Sequence, residues 1–384
     1  LIFPALVGRG HGSAQSRIAI LQSWHCAPRK ALPLPLAVPG ALGDLGPRLE
    51  PTRRPKVECA AMREMTGVIA VVPTPFLAGA EGQAGAIDQA SLERLVEHYV
   101  RCRVDGLTIM GVMGEGAKLT PDESNGLMRG IFTAVAGRLP IIVGASNPND
   151  DEVVRLSRLA MELGAVGVMI SPKRGLADDA AVLAYFTDLC ERLGPDVPIC
   201  LQDYPPASGV VMSVPLILEL HRSLPQLEML KAEDMPGLNK LSETLKGLPK
   251  DTPRPAVFAG NNALFTELEL RRGAVGIMTG FAFPDMLVEV YRRHKAGDLE
   301  GAEALYHAYL PLIRYELQPG VGLAARKWTL MRQGLLTTPL VRAPGHALTE
   351  EDKVELDDML ARIERRRSTL DAGTSASASQ AQAS

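Results

Sequence analysis

Residues 104 to 123 read Val104-Asp-Gly-Leu-Thr-Ile-Met110-Gly-Val-Met-Gly-Glu115-Gly-Ala-Lys-Leu-Thr120-Pro-Asp-Glu123. A short apolar run over 106–110 is followed by a glycine-rich turn and then by a helix start. Thr120 is an N-cap, Pro121 suits the first helical position, and Asp122 and Glu123 add acids to the first turn. The apolar run carries no polar alternation, as expected of a parallel strand covered on both faces. The pattern is strand, turn, helix, and the chain repeats it.

Outward from this stretch, strands are expected at 68–72, 106–110, 140–145, 166–171, 198–203, 227–231, 256–260 and 274–279. Each is rich in Val and Ile and bounded by Gly or Pro. The segments between them have helical spacing; after Ser91, apolar residues recur at 92, 95, 96, 99 and 100. Eight strand–helix units over residues 62–295 predict an α/β fold, a (β/α)₈ barrel. A doubly wound open sheet is the alternative, but its glycine fingerprint is missing after the first strand, which ends in Pro73-Thr-Pro75. Helical segments near 284–296, 298–315, 320–334 and 349–367 predict a C-terminal helical region over 296–367. Residues 1–61 are rich in Pro and Arg and are read as a disordered extension or a mis-assigned start, with Met62 or Met65 as a beginning; a targeting segment is the competing reading. Residues 368–384 are read as a disordered low-complexity tail.

Composition narrows the function. Of 384 residues 46% are hydrophobic and 22% charged, enough for a large core, and the net charge of −3 gives no electrostatic reason to expect nucleic acid. The five cysteines form no CxxC pair, which argues against a zinc site or disulfide framework and fits a reducing cytoplasm. No HExxH pair or GxSxG elbow occurs. The turn from Gly111 to Lys118 only faintly matches a phosphate loop: Leu119 stands where Ser or Thr is needed, and Glu115 would repel phosphate.

Barrel chemistry sits at the C-terminal ends of the strands. Lys231 ends the run Leu227-Glu-Met-Leu-Lys-Ala-Glu-Asp234. Apolar walls there favour the neutral amine, which attacks a ketone to form a Schiff base, an electron sink. A lysine that merely pairs with Glu233 or Asp234 is the competing reading, and Lys173 and Lys118 also follow strands.

Several elements together resemble the dihydrodipicolinate synthase and N-acetylneuraminate lyase family over roughly residues 66–315. Ile69-Ala-Val-Val-Pro-Thr-Pro-Phe76 is similar to its first strand, and Gly111-Val-Met-Gly-Glu115 to its Gly-Thr-Thr-Gly-Glu loop. Leu230-Lys231-Ala-Glu-Asp234 is similar to the strand with its Schiff-base lysine. Gly260-Asn-Asn and Gly273-Ala-Val-Gly-Ile277-Met-Thr-Gly280 resemble its seventh and eighth strands. The resemblance implies a lyase or aldolase acting on a 2-keto acid, pyruvate or an analogue, with Lys231 as nucleophile and neither organic cofactor nor metal. It implies substrate binding by Gly111, Val112, Met113, Gly114 and Ile277, no nucleic-acid or membrane partner, an aldehyde as second substrate, and a homotetramer. A dehydratase or hydratase-aldolase on a longer keto acid, or a non-catalytic keto-acid-binding barrel, are alternatives.

The sequence departs from that family in three places. Val112 and Met113 replace the loop's two hydroxyl residues. The family tyrosine of the fifth strand falls, without a gap, on Gln202; Tyr204 lies two residues on, on the same face of the strand, and is the expected proton-handling group. Ala207 and Ser208 occupy the region of the synthases' substrate-binding arginine, which argues against 4-hydroxy-tetrahydrodipicolinate synthase activity. Glu115 is read as an acceptor that fixes its loop.

Overall fold

The computed structural model describes residues 62–250 and 253–381; the extension read over residues 1–61 lies outside them. Eight parallel strands close into a barrel: β1 (Gly67–Val71), β4 (Gly106–Ile109), β5 (Ile141–Gly144), β6 (Gly167–Ile170), β7 (Ile199–Asp203), β8 (Leu227–Ala232), β9 (Ala256–Ala259) and β10 (Gly276–Thr279), with β10 pairing back onto β1. The strands fall where the apolar runs place them. A small antiparallel hairpin, β2 (Phe76–Ala78) and β3 (Ala84–Ile87), interrupts the first unit. It escapes the sequence reading because it is short and mostly exposed, so it carries no burial pattern.

Helices separate the strands: α1 (Gln89–Arg101), α2 (Pro121–Val135), α3 (Asp150–Glu162), α4 (Asp179–Leu193), the single turn α5 (Pro205–Ser208), α6 (Val214–Ser223), α7 (Gly237–Gly247), α8 (Thr266–Arg272) and α9 (Pro284–Lys295). α2 begins as its sequence requires. The Thr120 side chain accepts from the Glu123 amide, and the Glu123 carboxylate accepts from the Thr120 amide. On α1, Leu92, Leu95, Val96 and Tyr99 are buried, the face anticipated from spacing.

Beyond the barrel come α10 (Leu299–Glu316), α11 (Gly322–Arg332) and α12 (Glu350–Ala381). The backbone of α12 is helical to Ala381, through most of the stretch read as a disordered tail. Among the described residues no helix is long and apolar enough to cross a membrane.

Strand alternation divides the core in two. Val68, Ala70, Leu107, Ile109, Leu201, Leu230 and Ile277 pack outward in the layer shared with the helices. Ile69, Val71, Ile142, Met169, Cys200, Met229, Phe258 and Met278 fill the barrel interior, with Met62 and Met65 as its floor. A Cβ added at Gly167 would sit 2.0 Å from Met62 Cε, so glycine there makes room for the floor. The Ile277 side chain therefore points away from the interior, so any contact of Ile277 with substrate is through its backbone. Its neighbours Gly276 and Met278 face the interior, and Ile277 faces the helices.

Candidate functional site

The interior column continues upward from Cys200 and Met229 to Gln202 and Lys231, which are register partners on β7 and β8. Lys231 is 4% exposed, so its side chain does not escape to solvent. Two residues on, Glu233 shares its face of the strand. Lys231 Nζ lies 3.2 Å from Glu233 Oε2. Gln202 Nε2 donates to that same oxygen at 2.7 Å, and the Asn261 amide donates to Oε1 at 3.3 Å. Gly260 is required beside it, because a Cβ there would stand 2.3 Å from Glu233 Cγ. The carboxylate is thus fixed from three sides, inside the barrel, against an interior lysine.

The competing lysines are occupied elsewhere. Lys173 pairs with Asp150 at 2.7 Å, and Lys118 with Glu115 at 3.1 Å. Asp203 points outward, as alternation demands, to Lys240 at 2.6 Å; Lys240 also reaches Asp234 at 2.8 Å. Burial pushes the Asp203 carboxyl up to about 6 against the opposing pull of Lys240. Behind the same strand, burial and then the Glu233 charge push Glu269 up to about 8.

Tyr204 begins the turn α5 and is half-buried. Burial, then the Glu233 charge, push its phenol above the ordinary value, while Arg326 pulls the other way. The tyrosine therefore sits within electrostatic reach of Glu233, yet its hydroxyl has no protein hydrogen-bond partner among the described residues. Gln202, the gapless counterpart of the family tyrosine, is the β7 residue bonded to the carboxylate beside Lys231.

Across the mouth, the glycine loop follows β4. Its turn is closed by Glu115 N to Val112 O at 3.1 Å and Gly116 N to Gly111 O at 3.4 Å. A Cβ at Gly116 would stand 2.1 Å from Met110 O, and one at Gly114 2.9 Å from Met110 N, so the turn closes only with glycines. Thr74 Oγ1 donates to Gly114 O at 2.6 Å. The amides of Val112, Met113 and Gly114 donate to no protein acceptor among the described residues. Successive free amides in a turn make an anion cradle. Met113 packs on the interior cluster, whereas Val112 is 50% exposed.

Glu115 fixes the loop rather than entering the column: it is 2% exposed and takes Lys327 at 2.6 Å. Two residues of α11 matter here and were missed by the sequence reading, because a charged residue on an outlying helix looks like a solvated one until its partners are known. Arg326 is buried, bonded to Glu316 at 3.0 Å and to Asn262, and its Nη1 has no partner among the described residues. Lys327 is buried beside it. Glu233 was missed as a functional residue, although strand alternation could have found it: two residues after a strand-end lysine is the same face of the strand.

A model of the dihydrodipicolinate synthetase family matches residues 64–363. The chain belongs to that family. It is similar to L-2-keto-3-deoxyarabonate dehydratase of Azospirillum brasilense, 32% identical over 295 residues, covering 76% of this chain and 92% of the relative. It is also similar to 4-hydroxy-tetrahydrodipicolinate synthase of Methanosphaerula palustris, at 27% identity with 77% and 98% covered. Among solved structures, dihydrodipicolinate synthase from Rhodopseudomonas palustris superposes with a TM-score of 0.74 at 41% identity, covering 78% of this chain and 98% of that one. As a dihydrodipicolinate synthetase family member the chain is an enzyme of the lyase type, and the barrel with its C-terminal helices is the family's fold.

Proposed function

We propose that this enzyme dehydrates a 3-deoxy-2-keto acid carrying a hydroxyl on C4, through a Schiff base on Lys231. The observation that carries the reading is the Gln202–Glu233–Lys231 array, a carboxylate held by an amide side chain against an interior lysine. Glu233 accepts the proton the ammonium must lose, the free amine attacks the C2 carbonyl, and Glu233 returns that proton to the departing oxygen, which leaves as water to give an iminium. The iminium draws electrons from the C3–H bond, and Glu233 takes that proton, leaving an enamine. The enamine electrons expel the C4 hydroxyl, which leaves as water with the proton carried by Glu233. Hydrolysis of the unsaturated imine returns the lysine. One water is lost overall, and no electrons are gained or lost.

The amides of Val112, Met113 and Gly114 hold the keto-acid carboxylate, the backbone half of the family's cradle without its two hydroxyls. Gln202 orients Glu233, and Tyr204 stands at the mouth beside the outer part of the substrate. Similarity to a keto-deoxy-sugar-acid dehydratase supports this substrate class, and Ala207 and Ser208 in the region of the synthases' arginine argue against condensation of two substrates. A homo-oligomer, implied by the resemblance, is checked by light scattering. The deciding experiment mixes enzyme with a panel of 3-deoxy-2-keto acids and follows loss of one water by mass. Dehydration of a C4-hydroxylated member is the expected result; retro-aldol release of pyruvate instead would replace the dehydratase reading with the aldolase one.

A further inference from the structure

Glu115 receives more contacts than any loop acid needs for solubility. Its side chain and that of Lys327 are both fully buried, and Lys327 Nζ lies 2.6 Å from Glu115 Oε1. The other oxygen takes Lys118 Nζ at 3.1 Å and the Arg342 amide at 2.9 Å. Lys327 also donates to Leu340 O at 2.8 Å and lies 4.5 Å from the centre of the Phe76 ring. Arg342 stacks on that same ring at 4.4 Å and reaches Glu123 at 2.6 Å and Gly85 O at 2.7 Å. Glu115 is itself in the left-handed region, φ 55°, and is the residue at which the glycine loop turns. The carboxylate that anchors the turn is therefore one residue from the last of the three free amides.

We propose that Lys327 is a positioning residue: acting through Glu115, it fixes the amide cradle of residues 112–114 and so sets how strongly the site prefers a keto acid over a simple ketone. The proposal rests on the Schiff-base reading above. Breaking a buried pair by removing one partner leaves an uncompensated charge. Without Lys327, Glu115 must move toward Lys118 and solvent, and the turn follows it because the two are adjacent in the chain. Lys231 and its carboxylate partner stand on the opposite side of the barrel and are untouched.

The groups facing Lys327 are Glu115 and Lys118 from the loop, Arg342 and the Leu340 carbonyl from the C-terminal segment, and the Phe76 ring from β2. Burial dominates and lowers the Lys327 ammonium to about 8, against the pull of Glu115. The cradle should therefore loosen as pH rises past that point, with Lys327 losing its charge.

The test uses the full chain and two probes, pyruvate and hydroxyacetone, which differ in the carboxylate. Each is titrated against borohydride trapping at Lys231. Lys327→Met is expected to raise the half-saturating pyruvate concentration by about tenfold or more and to leave hydroxyacetone unchanged. The parent's preference for pyruvate is expected to fall above about pH 8, and the preference of Lys327→Met to stay flat. Should Lys327→Met fail to fold, Glu115→Gln keeps the shape, weakens the pair and should show the same split. Equal loss for both probes, or no loss for either, overturns the proposal while leaving the Schiff base intact. Absence of trapping in the parent brings down the Schiff-base reading and this proposal with it.

Discussion

Gln202 Nε2 and Lys231 Nζ converge on one atom, Glu233 Oε2, from 2.7 Å and 3.2 Å. The proposed mechanism therefore gives proton handling to this carboxylate rather than to the Tyr204 phenol. Glu233→Gln should lower turnover by about 10²–10⁴-fold, the usual weight of a general acid–base group. Keto-acid trapping on Lys231 should slow, since Glu233 takes the ammonium proton, but should still reach completion because the amine and the cradle remain. Tyr204→Phe should lower turnover far less. Steady-state kinetics on the dehydrated substrate decide between them; a dead Tyr204→Phe beside an active Glu233→Gln would return the proton to the tyrosine.

Borohydride reduction in the presence of pyruvate should add one covalent mass that maps to Lys231, and Lys231→Met should abolish it. Lys173 and Lys118 are engaged by Asp150 and Glu115 and should remain unlabelled. Peptide mapping that finds the adduct on Lys173 would remove Lys231 from the mechanism.

Glu269 offers a stability prediction whose sign is fixed. Its carboxyl is raised to about 8, first by burial and then by the Glu233 charge. Between the ordinary value of 4.5 and 8 the folded state holds a proton that the unfolded chain has lost, so this group's contribution to stability falls as pH rises through that window. Glu269→Gln imitates the protonated form and cannot ionise. The variant should be near the parent in weak acid and gain on it steadily up to about pH 8. Urea unfolding at several pH values measures the difference; a gap independent of pH would contradict the assignment.

Met62 tests the barrel floor. It is fully buried against Gly167 and the interior cluster. Met62→Ala should cost about 2–5 kcal/mol, the transfer loss plus a cavity. Deleting residues 1–61 alone should leave the melting temperature nearly unchanged. A large fall on that deletion would mean the extension packs on the barrel.

The eight barrel strands were legible because burial on both faces leaves unbroken Val and Ile runs, as in Ile141–Gly144 and Gly167–Ile170. The hairpin Phe76–Ala78 and Ala84–Ile87 was not, since short exposed strands carry no such run. Within the site, the gapless alignment pointed at Gln202, while Glu233 entered the sequence reading only as a charge partner for Lys231. What sequence could not rank was Tyr204 against Gln202, because both share a face and only their heights above Lys231 differ. Ile277 was taken from a resemblance to the eighth strand that says nothing about which way a side chain faces. Arg326 and Lys327 were invisible for another reason: a buried cation on an outlying helix looks like any surface cation until its partner, more than two hundred residues earlier for Lys327, is brought to it.

That last distance shapes how the protein is made. The first barrel unit is completed by the last part of the chain: Thr337 bonds Asp88, Thr338 bonds Phe76 O, and Lys327 and Arg342 bond Glu115. Contacts of such span close late, because loop closure must precede them. During synthesis the glycine loop emerges early and waits for residues 327–342, its anchoring carboxylate still hydrated. A chain stopped before α11 would close the barrel through β10 yet leave the cradle unset. On the proposed reading, the order of translation delays selection of a keto acid by its carboxylate until the fold is almost whole.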